Sequence, residues 1–474
     1  MLDSATMRQT ISMLQTGQLS TAELAKHTER QIRDWEPLVA AFVHLDGPAL
    51  RALQEQDDGS DKVAKSPNEQ QPLRGIPVSV KDIFDVLGMP TTGGSDAYRW
   101  IADEDAQSVA NLRAAGATIV GKTNTQELAY GVVTAPTKNP WNLQHIPGGS
   151  SGGSAVAVAT GMSLAALGSD TGGSVRIPAA CCGVVGFKPS VGVVSKYGVM
   201  PLSTTLDHVG VLTRSVADAK DLFERLRGFD PKDPASVAAP VLRTGRPAKR
   251  RLGIPWSYFE QLASAEVLRA FRKAVAVLES LGFATVDIAL PTWDEWKALQ
   301  MTIRLPEAYQ YHQSVLEGPR RSLLKGDLAA RLDPGKHIRA LDYVAAQKQR
   351  SNWIRQWTAN MQQLDALILP TLLVTAPRIG EEAVILRETA LPVWEALVYL
   401  TVPANVLGFP AVSVPCGFDS VGLPIGLQFV GFPYDDDYLL ELAHNFAAAN
   451  PDWTAPPLPA STQVTDRNAS KFSK

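Results

Sequence analysis

The sequence predicts an α/β protein, a single large α/β/α domain whose mixed, mostly parallel central sheet is covered by helices on both faces. Ile76-Pro77-Val78-Ser79-Val80 is a short apolar run of strand length closed by Lys81, and a helical segment from about Asp105 to Ala115 follows it. Gly116 then leads into a second run, Ala117-Thr118-Ile119-Val120. Strand, helix and strand in that order pair two strands in the same direction. Hydrophobic residues make up 45% of the 474. That is ample for a substantial core, and one large α/β domain lies within what the length allows.

The remaining elements follow from spacing. Leu14, Leu19, Leu24, Ile32 and Trp35 recur at helical intervals, so residues 5–55 are expected to form two or three amphipathic helices. Ser154 to Thr160 is alanine- and valine-rich, which suits a helix packed closely between other elements, and Ser163 to Gly168 reads as a strand. From about Phe229 to Arg251, prolines and basic residues break all periodicity, as in a surface connection. Leu252-Gly253-Ile254 starts another strand and 262–282 an amphipathic helix. Residues 295–365 read as mostly helical and aromatic-rich, with Trp296, Tyr309, Tyr311, Tyr343 and Trp353. Strand character returns at Leu367–Pro370, Ala411–Val414 and Ile425–Val430. The polar, proline-containing segment 456–474 is expected to be a disordered tail, leaving residues 1–455 as the domain. No internal repeat is present.

Charged residues are 20% of the chain and the net charge is -3, which offers nucleic acid no basic surface and leaves no acidic tail. The ligand is therefore expected to be small. Cys181, Cys182 and Cys416 are too few and too badly spaced for a disulfide framework or a tetrahedral metal site, and read as buried thiols in a reducing compartment. The start of the chain lacks the cationic patch and apolar run of a signal peptide. No window reaches the ~18 apolar residues needed to cross a membrane, so a soluble cytoplasmic protein is expected. Asn468-Ala469-Ser470 matches a glycosylation acceptor, a chance match in that setting.

The chemistry lies in two glycine–serine clusters. These are Gly148-Gly149-Ser150-Ser151-Gly152-Gly153-Ser154 and Asp170-Thr171-Gly172-Gly173-Ser174-Val175-Arg176-Ile177-Pro178. Glycine removes the Cβ atoms that would block a ligand and lets backbone N–H groups point at an anion. Ser174 stands before a helical turn beginning near Val175, where such groups converge and can stabilise an oxyanion. An ordinary N-cap serine fits the same local sequence. A serine nucleophile needs a base, yet none of the seven histidines (27, 44, 145, 208, 312, 337 and 444) lies in a catalytic motif.

Lys81 is the next candidate. A lysine titrates near 10.4, so acting at neutral pH requires a fall of roughly 2 to 3 pH units, about 3 to 4 kcal/mol, which burial at a strand end can supply. Ser150 can accept a hydrogen bond from Ser174 and donate one to a neutral amine, which makes it the natural relay. A solvent-facing strand end for Lys81 and a surface loop for Ser150 remain open from local sequence alone.

Two other motifs fail on context. Gly116-Ala117-Thr118-Ile119-Val120-Gly121-Lys122-Thr123 satisfies the phosphate-binding pattern G-x-x-x-x-G-K-[ST], but its middle residues are those of a strand and not of an open loop. Ser150 and Ser151 both satisfy G-x-S-x-G, but a nucleophile elbow needs a strand directly before it, and Asn139 to Pro147 is loop-like.

Together these residues resemble the amidase signature family, serine amidases with a Ser–Ser–Lys triad. The likeness covers Leu73 to Asp82, Gly148 to Ser154, Asp170 to Pro178, Gly183 to Pro189, Gly408 to Pro415 and Gly422 to Gln428. It implies Ser174 as nucleophile, Ser150 as bridging serine with a cis peptide, and Lys81 as base. It further implies that Thr171, Gly172, Gly173 and Ser174 supply the oxyanion N–H groups and that Asp170 and Arg176 hold the loop, with Ser151 as a further support. The expected activity is hydrolysis of a small carboxylic amide through a seryl acyl-enzyme, with no metal and no organic cofactor. The family also contains the glutaminase subunit of tRNA-dependent amidotransferases, which is the alternative reading. No direct nucleic-acid or membrane partner is expected, and a homodimer or a partner subunit stays open. In the family-variable region, about 295–365, Arg304, Glu307, Tyr309, Tyr311 and His312 are candidates for the substrate pocket, or simple helix contacts.

Overall fold

The computed structural model describes residues 2–55, 67–238, 243, 245 and 250–450. The expected tail at 456–474, the Asn468 match and part of the 229–251 connection lie outside the described residues. The centre of the molecule is an eleven-stranded sheet. Its strands are β1 (Phe42–Leu45), β2 (Pro77–Lys81), β3 (Thr118–Thr123), β4 (Ala165–Asp170), β5 (Val185–Lys188), β6 (His208–Thr213), β7 (Arg251–Ile254), β8 (Ala284–Asp287), β9 (Ala366–Pro370), β10 (Ala411–Phe418) and β11 (Pro424–Val430). Their spatial order is β1-β3-β2-β4-β6-β5-β10-β11-β9-β7-β8.

The sheet is mixed, and its parallel pairing is confined to two flanking blocks. β3, β2 and β4 run together on one side, and β9, β7 and β8 on the other. Between them, every pairing from β4 through β6, β5, β10 and β11 to β9 is antiparallel. The β10–β11 pair is a hairpin whose short turn returns the chain antiparallel, whereas the other antiparallel pairings of this block join strands farther apart in the chain.

Residues expected to be strands or helices are so, with bounds shifted by a few positions. The helix after β2 is Gln107–Ala114, and the small-residue helix is Gly152–Ala159. The 295–365 region is built from Trp293–Leu316 and Ala340–Met361 with short helical turns between them. The N-terminal region holds helices Met7–Gln15, Thr21–Val39 and Gly47–Glu55, and also the edge strand β1, which helical spacing alone does not suggest.

β2, β4 and β6 are buried along their whole length, so their side chains fill both faces of the sheet, as strands covered on both sides must. The Gly152–Ala159 helix is equally buried and lies against β4 and β6. A Cβ on Gly153 would stand 2.4 Å from the Ala41 carbonyl and 2.6 Å from the Asn124 backbone. Only glycine permits that approach, and it is what brings the first glycine–serine cluster down onto the ends of β2 and β4. Among the described residues, no helix is long and apolar enough to cross a membrane.

Candidate active site

Lys81 is the last residue of β2, and its side chain is fully buried. Its Nζ donates to Ser150 Oγ at 2.7 Å and to Ser169 Oγ at 2.9 Å. Burial among neutral hydroxyls pushes the amine down to about 7, against the opposing pull of the Asp207 and Asp170 carboxylates. The lysine is thus a strand end turned inward, not outward.

Ser150 is also fully buried, and the Gly149–Ser150 peptide is cis, as the family likeness implies. Its carbonyl accepts from the Gln126 N–H at 3.0 Å and from Thr134 Oγ1 at 3.3 Å, and Thr134 Oγ1 also donates to the Gly148 carbonyl at 2.9 Å. Ser151 joins the two clusters: its N–H donates to the Ser174 carbonyl at 3.1 Å, while its Oγ donates to the Ser169 carbonyl at 3.2 Å.

The second cluster is held by Asp170 at the end of β4. Its carboxylate accepts from the Gly173 N–H at 2.8 Å, the Val175 N–H at 3.1 Å and Asn405 Nδ2 at 2.8 Å. Burial alone would raise this carboxyl, but the adjoining Arg176 guanidinium outweighs it, helped by Lys188 and Asn405, and holds the group well below the usual carboxylate range. Arg176 is fully buried too and extends the frame to the Thr401 carbonyl at 3.0 Å, Gln428 Oε1 at 2.5 Å and Asn405 Oδ1 at 2.5 Å. Thr171 Oγ1 donates to Asp207, and Thr401 Oγ1 donates to the Gly172 carbonyl at 2.6 Å.

Gly173 has φ +126, and a Cβ there would lie 2.2 Å from Thr401 Oγ1. The loop thus demands glycine on both conformational and steric grounds.

Two details depart from the sequence expectation. The Gly173 N–H is committed to Asp170, so the donors of the loop without a protein acceptor among the described residues are those of Thr171, Gly172 and Ser174. The Ser174 hydroxyl also makes no hydrogen bond to Ser150 in this structure. Its backbone is tied to Ser151, and catalytic hydrogen bonds are often long before substrate binds. Ser174 is 7% exposed, whereas Lys81 and Ser150 are sealed. A cavity of about 280 Å³ adjoins this assembly, lined in part by Ala129, Ser169, Met200, Asp207 and His208.

The other candidates separate cleanly. Lys122 of the phosphate-loop-like motif lies in β3, fully buried, paired with Asp82 at 3.1 Å. His208 faces the Leu206 carbonyl through Nδ1 at 2.8 Å. In the 295–365 region, Glu307 bonds Ser203, Thr205 and Tyr343, and Tyr309 reaches Glu317 at 2.8 Å. Tyr311 is exposed, and His312 Nδ1 meets the Tyr98 hydroxyl at 2.8 Å. Three residues that frame the loop, Gln300, Thr401 and Asn405, are not singled out by sequence reasoning. Their side chains enter from elements far along the chain, and no local pattern marks them.

The chain is similar to known proteins over most of its length. The profile of the Amidase family matches residues 23–440. An amidase of Pseudomonas putida is 38% identical over 426 residues, covering 88% of this chain and 90% of its own. A glutamyl-tRNA(Gln) amidotransferase subunit of Synechococcus sp. (strain WH7803) is 36% identical over 471 residues, covering 92% and 95%. A solved amidase structure superposes with a TM-score of 0.82 at 33% identity, covering 94% of this chain and 99% of its own.

Proposed function

The chain belongs to the amidase signature family and is an amidohydrolase, and from that premise we propose that it hydrolyses the C–N bond of a small carboxylic amide through an ester on Ser174. The observation that carries the reading is the buried Lys81 amine, with a pKa near 7, bonded to Ser150 at 2.7 Å beside the Ser174 loop. Neutral Lys81 accepts the Ser150 proton while Ser150 takes that of Ser174, whose Oγ adds to the amide carbonyl. Charge developing on the carbonyl oxygen is stabilised by the uncommitted N–H groups of Thr171, Gly172 and Ser174, held rigid by Asp170. The proton then returns along the same path to the leaving nitrogen, the C–N bond breaks, and ammonia or an amine departs. Water activated by the same relay cleaves the ester and restores Ser174.

The test is ammonia release from a panel of aliphatic, aromatic and carboxylated amides by the wild type and Ser174→Ala. Loss of turnover with the fold retained supports the assignment; turnover by Ser174→Ala refutes it. A second reading, the glutaminase subunit of a tRNA-dependent amidotransferase, is favoured by the likeness to the Synechococcus protein over nearly its full length. Glutamine hydrolysis that appears only with a partner subunit would select it.

A further inference from the structure

The helix Trp293–Leu316 lies over the Ser174 loop, and its N-terminus is fixed by a capping box between Thr292 and Glu295. Gln300, one of its buried residues, is 3% exposed, and its Nε2 has no hydrogen-bond partner. That nitrogen stands 2.7 Å from where a Cβ on Gly172 would be, so the free amide is aimed at the edge of the loop that holds Ser174. A buried amide left unpaired is costly. A position beside a nucleophile that tolerates this cost is one a ligand acceptor would fill.

One turn further along, and so about 6 Å along the axis on the same face, Arg304 repeats the pattern. Its Nε is buried without a partner, and its Nη2 meets only the soft thioether Sδ of Met301. Among the described residues, no carboxylate lies within ion-pair distance of it. The neighbouring acids are used elsewhere: Glu307 on Ser203, Thr205 and Tyr343, and Glu127 on Ser95 and the Lys325 N–H. The Arg304 guanidinium carbon lies 4.8 Å from the centre of the Tyr130 ring, and that of Arg331 lies 4.6 Å from it. Tyr130 belongs to the loop that begins at Gln126, the residue hydrogen-bonded to the Ser150 carbonyl. Arg304 thus faces the same site as Gln300, at one more turn's remove from the nucleophile.

We infer that Gln300 and Arg304 form the acyl-side specificity subsite, selecting amides whose acyl chain ends in a carboxylate, with Gln300 donating to an acceptor near the scissile group and Arg304 pairing with the terminal anion. This rests on the seryl amidase reading above. Arg304 sets its guanidinium over the Tyr130 ring and keeps a buried Nε–H without a partner, an arrangement suited to recognising a planar carboxylate. Gln300 and Arg304 are specificity residues, and neither takes part in proton transfer.

The probe is protection of Ser174 from an uncharged fluorophosphonate. The ligands are 4-oxopentanoate, 5-oxohexanoate and 6-oxoheptanoate, each paired with the neutral methyl ketone of the same carbon count: 2-pentanone, 2-hexanone and 2-heptanone. In the wild type, at least one acid should protect at a concentration tenfold or more below that of its neutral partner. Arg304→Met should abolish that preference, while Arg304→Lys retains part of it. Gln300→Leu should weaken protection by acid and ketone alike, because it removes the donor nearest the scissile group. Equal protection by acids and ketones in the wild type, or a preference that survives Arg304→Met, overturns the inference. Absence of any labelling at Ser174 instead refutes the seryl reading on which it stands.

Discussion

Asp170 and Arg176 grip each other through two hydrogen bonds, Nε to Oδ2 at 3.0 Å and Nη2 to Oδ1 at 2.9 Å, with neither side chain exposed. The same carboxylate also holds the Gly173 and Val175 N–H groups. One buried ion pair therefore sets the shape of the loop that presents Ser174.

Asp170→Asn would leave the Arg176 guanidinium buried without its counter-charge. A loss of about 3–5 kcal/mol is expected, read as a fall in the urea midpoint with the slope unchanged. A stability within about 0.5 kcal/mol of wild type would mean that the pair does not govern the loop.

Gly173→Ala places a methyl group 2.2 Å from Thr401 Oγ1 in a left-handed backbone. The loop must move, and Thr401 Oγ1 must release the Gly172 carbonyl. Turnover should fall at least a hundredfold, mainly in kcat, because donors displaced by an ångström no longer meet the developing charge. Measuring kcat and KM separately checks this; an unchanged kcat would contradict the loop's assigned role.

Lys122 and Asp82, both fully buried, pair at 3.1 Å, and Lys122 also donates to Thr91 Oγ1 and the Pro90 carbonyl at 3.0 Å. Lys122→Ala should cost about 3–5 kcal/mol. The wild type should show no saturable binding of a fluorescent ATP analogue, since this lysine cannot reach a phosphate. Saturable binding that Lys122→Ala abolishes would revive the phosphate-loop reading.

Much of this was legible in the chain because its cues were local. The run ending at Lys81 is a strand, and the small-residue segment after Ser154 is a helix packed against β4. Sequence spacing does not mark β1, β5, β6 or β8: β1 and β8 are four-residue edge strands with little burial, and β5 and β6 are interrupted by Gly186 and Gly210, where the backbones of neighbouring elements press close. The antiparallel middle of the sheet depends on long-range pairing that no short window encodes. The site divides the same way. Glycine–serine spacing exposed Ser150, Ser174 and Asp170, whereas Gln300, Thr401 and Asn405 reach the loop across more than a hundred residues. The commitment of the Gly173 N–H to Asp170 is visible only in three dimensions.

The central claim is that an uncharged Lys81 is the base. It is tested most directly by the rate at which a fluorophosphonate labels Ser174 as a function of pH. Only the neutral amine accepts a proton, so with a pKa near 7 the rate should rise about tenfold from pH 6 to pH 8 and then level off. In Lys81→Met that rise should vanish and labelling should be slow throughout. A wild-type rate flat across this range, or a Lys81→Met variant that labels as fast and with the same pH dependence, would contradict the account.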